Sequence, residues 1–437
     1  MQTSRYSAPQ AAGPLDAVVS LPGSKSLTNR ELVLSALAEG PGLIRAPLHS
    51  RDSSLMIEAL RALGTGIVEV PGDGRYGPDL RVTPAPFRGG ASIDCGLAGT
   101  VMRFLPPVAA LARGAVTFDG DDNARHRPMS VTIEALRGLG VSVDDAGTGH
   151  LPFIVHGAGR VRGGALPIDA SSSSQFVSGL LLVAARFIEG LRLTHTGDRL
   201  PSVPHIDMTV HSLGQRGVNV QRPSAREWLV RPGPIAARTV DIEPDLSNAA
   251  PFLIAALIAG GTVAVPGWPT QSTQVGAELE TILPLFGATV RRDGDRLIVD
   301  GGAGHRGGGR FPGVDLDLGR AGELAPAIVA LTALADSAST ITGIAHLRGH
   351  ETDRLAALAA EINALGGFIT ETDDGLIIEP RPLAATDRPW QSYADHRMAM
   401  AGAIIGLAVP GLVINDIGTT AKTLPQFPEL WTALVGV

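Results

Sequence analysis

The feature that most constrains this chain is that it repeats. Six stretches open with small polar residues and run into an apolar segment of helical length. They are GSKSLTNRELVLSALAEG from Gly23, CGLAGTVMRFLPPVAALARG from Cys95, SSSSQFVSGLLLVAARFIEG from Ser171, PDLSNAAPFLIAALIAGG from Pro244, GRAGELAPAIVALTALA from Gly319 and YADHRMAMAGAIIGLAVPG from Tyr393. Each is followed by a second helical segment ending at a glycine: Gly64, Gly140, Gly217, Gly287, Gly366 and Gly436, spaced 76, 77, 70, 79 and 70 residues apart. Glycine just past a helix suits a left-handed C-terminal cap. Alternating runs after it, such as VSVDD and ATVRR, suit half-buried strands. The period is longer than that of the common solenoids.

Six such units divide as three plus three, with Arg231–Pro234 (RPGP) as the linker. The sixth unit stops at its second helix and lacks closing strands; the apolar run Asp16–Leu21 is the candidate to supply one. The N-terminus then belongs to the second domain. The expected domains are 22–234, and 1–21 plus 235–437. Six helix openings present backbone N–H groups, and if they converge on one cleft they attract anions despite the overall charge.

That charge excludes other classes. There are 43 acidic against 36 basic residues, a net charge of −7, and only 4% aromatic residues. A general nucleic-acid binder carries a basic excess and stacking aromatics, so nucleic acid is not an expected partner. The apolar part of the longest uncharged stretch, Phe252–Ala259, is far short of the roughly 20 residues of a spanning helix, so no membrane partner is expected. It reads as a buried helix followed by a buried strand. One cysteine, Cys95, allows neither an intrachain disulfide nor a thiolate metal cluster. Together with an N-terminus lacking an apolar or Arg-rich targeting pattern, this leads us to expect a cytoplasmic protein.

Among the 36 basic residues only Lys25 and Lys422 are lysine. Both sit in short polar loops, and lysine can give up a proton where arginine cannot. Lys25, Ser26 and Arg30 lie at the first opening. The spacing is not GxxxxGK[ST], so an ATP-binding loop is not supported. A Lys-Ser pair at a helix start suits a phosphate or carboxylate, or else a serine simply caps the helix beside a solvated lysine. SSSSQF offers hydroxyls and an amide at a helix start, or a plain serine turn. GLAGT permits close backbone approach, or is only a tight turn. DDNARHRPMS, HLRGHETDR and YADHRMAM each cluster cations and carboxylates, for ligands or for solvated ion pairs. No HExxH spacing supports metal ligation, and no GxSxG elbow supports a hydrolase triad.

Taken together, PGSKSLTNR, AGTVMR, RHRP, SSQF, HETDR, YADHRMAMA and AKTLPQFP resemble, in order and over essentially the whole chain, the 5-enolpyruvylshikimate-3-phosphate synthases of the enolpyruvyl transferase family. The resemblance implies an α/β fold: a two-domain inside-out α/β barrel of six βαβαββ repeats, three per domain, with the active site in the cleft between the domains. It implies that Lys25, Ser26, Arg30, Ser173, Ser174, Gln175, Ser202, Glu323 and His350 contact shikimate 3-phosphate. Lys25, Gly99, Arg127, Gln175, Arg354, Arg397 and Lys422 would contact phosphoenolpyruvate. Glu323 stands where members usually have Asp, His350 where many have Lys, His205 where many have Tyr, and Leu97 where many have Asn.

The implied reaction adds the 5-hydroxyl of shikimate 3-phosphate to C2 of phosphoenolpyruvate while C3 is protonated; phosphate then leaves with loss of a C3 proton. That chemistry needs cations for two phosphates and a carboxylate, a base, and an acid-base at C3. It requires no metal and no cofactor. Glu323 is the expected base and Lys25 and Glu351 the expected proton shuttles, with Lys422 and His396 as further candidates. A monomer acting on these two small molecules is expected. The nearest alternative is UDP-N-acetylglucosamine enolpyruvyl transferase, which shares the fold and donor. Its members usually carry a cysteine (sometimes Asp) in the loop corresponding to Asp121–Met129, which here has no cysteine but does hold Asp121 and Asp122. From another class, an inactive two-domain anion-binding protein would keep the arginines but would not need the two lysines and Glu323/Glu351.

Overall fold

The computed structural model describes residues 5–72 and 74–436. Residues 1–4 of the stretch read for targeting signals, Asp73 and Val437 lie outside the described residues. The chain forms two compact units: Pro22–Glu243, and Pro244–Val437 together with the N-terminal segment up to Leu21.

The unit Pro22–Glu243 holds three four-stranded sheets of one design. In the second repeat, Ser92–Asp94 lies parallel to Arg113–Asp119, which runs antiparallel to Phe153–Ala158, itself antiparallel to Ser142–Asp144. The parallel pair is bridged by the opening helix Gly99–Ala109, as a parallel crossover requires. The other unit holds two sheets of the same order and one three-stranded sheet. This is the repeated β-α-β-α-β-β pattern expected from the sequence.

The opening helices form the interior. Ala250–Ala259 is buried at every residue, followed by the strand Gly261–Val265. Residues 28–37 of Lys25–Leu37 and 396–407 of His396–Ala408 are likewise buried throughout. A helix without a solvated face must pack on all sides. In each unit the three opening helices pack against one another, and each unit has its own apolar core. The six glycines after the second helices all adopt positive φ, from 74° at Gly436 to 110° at Gly64.

Three expectations change. Asp16–Leu21 does not close the sixth repeat. Leu15–Val18 pairs in parallel with Gly261–Val265 and is the first strand of the fourth repeat, whereas Arg5–Ser7 closes the sixth, antiparallel to Val413–Asn415. The second crossing between units falls after Glu243 rather than after Pro234, because Thr239–Asp241 pairs in parallel with Gly42–Arg45 and supplies the first strand of the first repeat. The second helix of the fourth repeat is broken into Val275–Glu278 (3-10), Leu279–Ile282 (α) and Leu283–Phe286 (3-10). Pro284 lacks the N–H needed to continue the α-helical ladder.

Candidate active site

In the unit Pro22–Glu243, Lys25, Ser26, Gly99, Ser173, Ser174 and Gln175 stand at the openings of its three buried helices. Ser24 caps Lys25–Leu37, its hydroxyl accepting from Leu27 N at 3.5 Å. Lys25 Nζ lies 3.7 Å from Asp52 Oδ2. The capping role therefore falls to Ser24 rather than Ser26. Arg30 is buried and held internally. It donates to Thr209 Oγ1 (2.8 Å), Ser26 O (2.9 Å) and His205 O (2.8 Å), and its guanidinium lies 5.2 Å from the Phe104 ring centroid. It braces the first opening helix against Val203–Gly214. Ser202, which starts that helix, sits at φ 51°, an unfavourable conformation for a residue with a side chain. Ser173 Oγ accepts from Gln175 N at 3.2 Å, and Ser174 is buried at the start of Gln175–Ala184.

Gly99 begins the second opening helix and marks where this constellation closes up. A Cβ there would lie 2.9 Å from Gln175 Oε1, 3.2 Å from Arg127 Nη2 and 3.3 Å from Arg103 Nη1. Three residues named from separate motifs thus meet at one backbone position. Arg127 is 7% exposed. It donates from Nη1 to Leu97 O at 3.2 Å; its Nε is buried with no partner, and no described carboxylate of its unit pairs with it. A buried guanidinium without an anion is unfavourable on its own, and a bound anion relieves it. Its neighbour in sequence behaves oppositely: Arg125 is exposed and pairs with Asp119 at 2.8 Å and Asp122 at 3.3 Å. The solvated ion-pair reading of this motif fits Arg125, whereas Arg127 turns inward and is buried.

In the other unit, the charges pair among themselves. Arg354, 2% exposed, donates from Nε to Asp395 Oδ2 (2.7 Å) and from Nη2 to Glu351 Oε2 (3.0 Å), and its Nη1 lies 3.2 Å from His350 Nδ1. Burial opposes its charge, but Asp395 and Glu351 outweigh burial and raise its pKa. Lys422 Nζ donates to Glu351 Oε1. Arg397 donates to Ser247 O and to Glu323 Oε2, both at 3.2 Å, and Ser247 Oγ donates to Glu323 Oε1 at 2.7 Å. Asp395 caps His396–Ala408 by accepting from Arg397 N at 2.8 Å. His396 is buried with Nδ1 3.6 Å from Asp395 Oδ1. Here too the motif divides: Arg348, partly exposed, pairs with Asp353 and Glu371, whereas Arg354 turns inward. Among the described residues no group of three or more His, Cys, Asp or Glu is arranged to hold a metal ion.

Sequence reasoning did not single out Asp52, Arg103 or Ser247, and took Asp395 only as part of the YADHRMAM cluster of cations and carboxylates. Arg103 follows Gly99 by four residues, so helical spacing places it on the same face. Asp395 has the N-cap position before a buried helix as its signal. Asp52 and Ser247 carry no local signal, because each is brought to its partner by tertiary packing.

Comparison with known proteins shows the family and the fold. The family model for EPSP synthase (3-phosphoshikimate 1-carboxyvinyltransferase) matches residues 9–431. The chain is 55% identical over 429 residues to a 3-phosphoshikimate 1-carboxyvinyltransferase of Kocuria rhizophila, covering 97% of this chain and 94% of that protein. It is 53% identical over 439 residues to one of Mycobacterium ulcerans, covering 98% and 97%. In fold it is similar to EPSP synthase from Acinetobacter baumannii (TM-score 0.77, 24% identity, 98% of each chain covered). It is also similar to the enolpyruvyl transferase NikO from Streptomyces tendae (TM-score 0.74, 17% identity, 97% and 96% covered). Motif order, repeat architecture and paired cation clusters thus converge with these matches, and the chain belongs to the EPSP synthase family.

Proposed function

We propose that this chain transfers the enolpyruvyl group of phosphoenolpyruvate to the 5-hydroxyl of shikimate 3-phosphate and releases phosphate. The observation that carries the site reading is the buried Arg127 guanidinium, without a carboxylate from its unit, pressed against Gly99 and Gln175. An anionic ligand supplies the missing charge. Lys25, Ser26, Arg30, Ser173, Ser174, Gln175 and Ser202 bind shikimate 3-phosphate, Arg30 also fixing the first opening helix. Lys25, Gly99, Arg127, Gln175, Arg354, Arg397 and Lys422 bind phosphoenolpyruvate. The two sets act together on the two substrates, and expulsion of water around them strengthens these charge interactions.

The reaction proceeds by addition and elimination. Glu323, oriented by Ser247 and Arg397, takes the proton of the 5-hydroxyl as its oxygen bonds to C2. A proton reaches C3, giving a tetrahedral ketal that carries phosphate and carboxylate. The hydrogen-bonded pair Lys422 and Glu351 is placed to pass that proton, with Lys25 as a second carrier. The C–O bond to phosphate then breaks, C3 gives up a proton, and the double bond re-forms. Arg127, Arg354 and Arg397 stabilise charge throughout. His350 adds a ring nitrogen beside Arg354 and contacts shikimate 3-phosphate. The substrates are small molecules, and among the described residues no helix is long and apolar enough to cross a membrane. The enzyme works as a cytoplasmic monomer.

The test is phosphate release from phosphoenolpyruvate by purified protein, with shikimate 3-phosphate or UDP-N-acetylglucosamine as acceptor. Release only with shikimate 3-phosphate is expected, and Glu323→Gln should lower kcat by about a hundredfold or more. Release only with the sugar nucleotide would reassign the acceptor. Release with neither would return the chain to an anion-binding role.

A further inference from the structure

The segment 390–395 delivers Asp395, and through it both Arg354 and Arg397, to the site, yet its backbone is strained. Tyr393 and Ala394 are consecutive non-glycine residues, each at φ 53°. Such a conformation persists only where the surroundings hold it. The helix Arg354–Ala364 provides two holds on the same face. Arg354 at its first residue grips Asp395. Glu361 comes seven residues later, two turns along and in line with Arg354. It is 2% exposed. Its carboxylate accepts from Gln391 N at 3.0 Å, from Tyr393 Oη at 2.5 Å and from Arg388 Nη2 at 2.5 Å. The strained pair lies between the two grips. Burial and the Glu361 carboxylate push the Tyr393 phenol up to about 12, so this donor stays protonated through the ordinary assay range.

We propose that Glu361 is a positioning residue for phosphoenolpyruvate binding: it holds the Tyr393–Ala394 turn in its left-handed conformation and so keeps Asp395 aimed at Arg354 and at the start of His396–Ala408. This rests on the functional reading above, in which Arg354 and Arg397 hold phosphoenolpyruvate. Glu361 touches neither arginine in the structure; it acts through Asp395. Without it the turn relaxes, Asp395 withdraws, the Arg354 guanidinium loses its carboxylate and the backbone at Arg397 loses its cap, while the shikimate 3-phosphate contacts of the other unit are unaltered.

The experiment is steady-state phosphate release with Glu361→Ala, Glu361→Gln and Tyr393→Phe, varying each substrate at saturating levels of the other, with thermal unfolding of each variant in parallel. Displacing binding groups by about an ångström costs up to about a hundredfold, so Glu361→Ala should raise KM for phosphoenolpyruvate by about tenfold or more. The KM for shikimate 3-phosphate should stay within about twofold, since its phosphate contacts lie elsewhere. Tyr393→Phe removes one of the three donors and should move the same constant in the same direction by less. If Glu361→Ala does not fold, Glu361→Gln and Tyr393→Phe carry the test. Folded variants with lowered thermal stability but an unchanged KM for phosphoenolpyruvate would overturn the proposal, as would equal changes in both constants. Inactivity of the unsubstituted protein with shikimate 3-phosphate would instead overturn the functional reading.

Discussion

At their candidate site residues the two units hold a buried arginine in opposite ways, although elsewhere in Pro22–Glu243 the buried Arg216 pairs with Glu31 at 2.7 Å. In Pro244–Val437, Arg354, Arg397 and Lys422 find Asp395, Glu323 and Glu351 within the protein. In Pro22–Glu243, Arg127 is buried to a similar degree with no carboxylate of its unit beside it. The first arrangement secures geometry during folding, and ligand binding must then redistribute its hydrogen bonds. The second leaves a cation whose counter-ion can only come from outside that unit, so the folded state is less favourable until an anion arrives. The proposed binding site thus has its sharper signal in the missing partner of Arg127 than in the dense ion pairs of the other unit.

The sharpest way to break this contrast is to remove one arginine from each unit. Arg127→Ala should lower kcat/KM by about a hundred- to a thousandfold, as loss of a charge-stabilising donor does, while leaving thermal and denaturant stability unchanged or raised. Arg354→Ala should lose activity and also destabilise its unit by about 3–5 kcal/mol, because Asp395 is left fully buried and unpaired. Equal destabilisation by both would remove the distinction. Unfolding of the two units can be followed separately. Cys95 is the sole cysteine, lies in Pro22–Glu243 and is fully buried; burial, reinforced by Asp94, pushes its thiol up and keeps it unreactive in the folded protein. Thiol labelling in denaturant therefore reports that unit, and Arg354→Ala should leave the labelling midpoint nearly unmoved.

Anion linkage sharpens the comparison at smaller amplitude. Phosphoenolpyruvate with shikimate 3-phosphate at a hundred times their dissociation constants should stabilise the native protein by about 2.7 kcal/mol per linked site. Most of that gain should vanish in Arg127→Ala when melting is measured with and without ligand.

The smallest expected effect is a control showing that the unit Pro22–Glu243 does pair charges outside the site. Asp145 accepts from Arg137 Nη2 and from Gly147 N and Gly149 N. The Arg137 bond foremost, with those backbone donors, holds its carboxyl down to about 2. The folded pKa lies below the unfolded one, so the stabilisation is present above about pH 4 and is lost as the pH falls toward about 2. Arg137→Met should flatten that acid-side loss without affecting turnover at neutral pH.

Much of this was legible along the chain. The six openings, the glycine-capped second helices and the α/β repeat follow from local spacing, since helix periodicity and the left-handed cap are properties of a few neighbouring residues. Gly99, Arg127 and Gln175 were named from three separate motifs, and the fold brings them together. The ownership of strands was not legible: Leu15–Val18, Arg5–Ser7 and Thr239–Asp241 are short, and nothing in three or four residues specifies a partner hundreds of positions away. The division of each motif between a solvated arginine and a buried one was also hidden, because Arg125 and Arg127, or Arg348 and Arg354, differ in environment rather than in chemistry.

By itself, then, the sequence determined the repeat, the helix and strand elements, and which side chains stand at the helix openings. Those depend on backbone preference and hydrophobic period, which act over one repeat. Tertiary structure alone decided which strand completes which sheet, which arginine is buried, and which cation keeps a carboxylate of its own unit. Those outcomes depend on desolvation and Coulomb interaction, and both are set by what surrounds a charge in space.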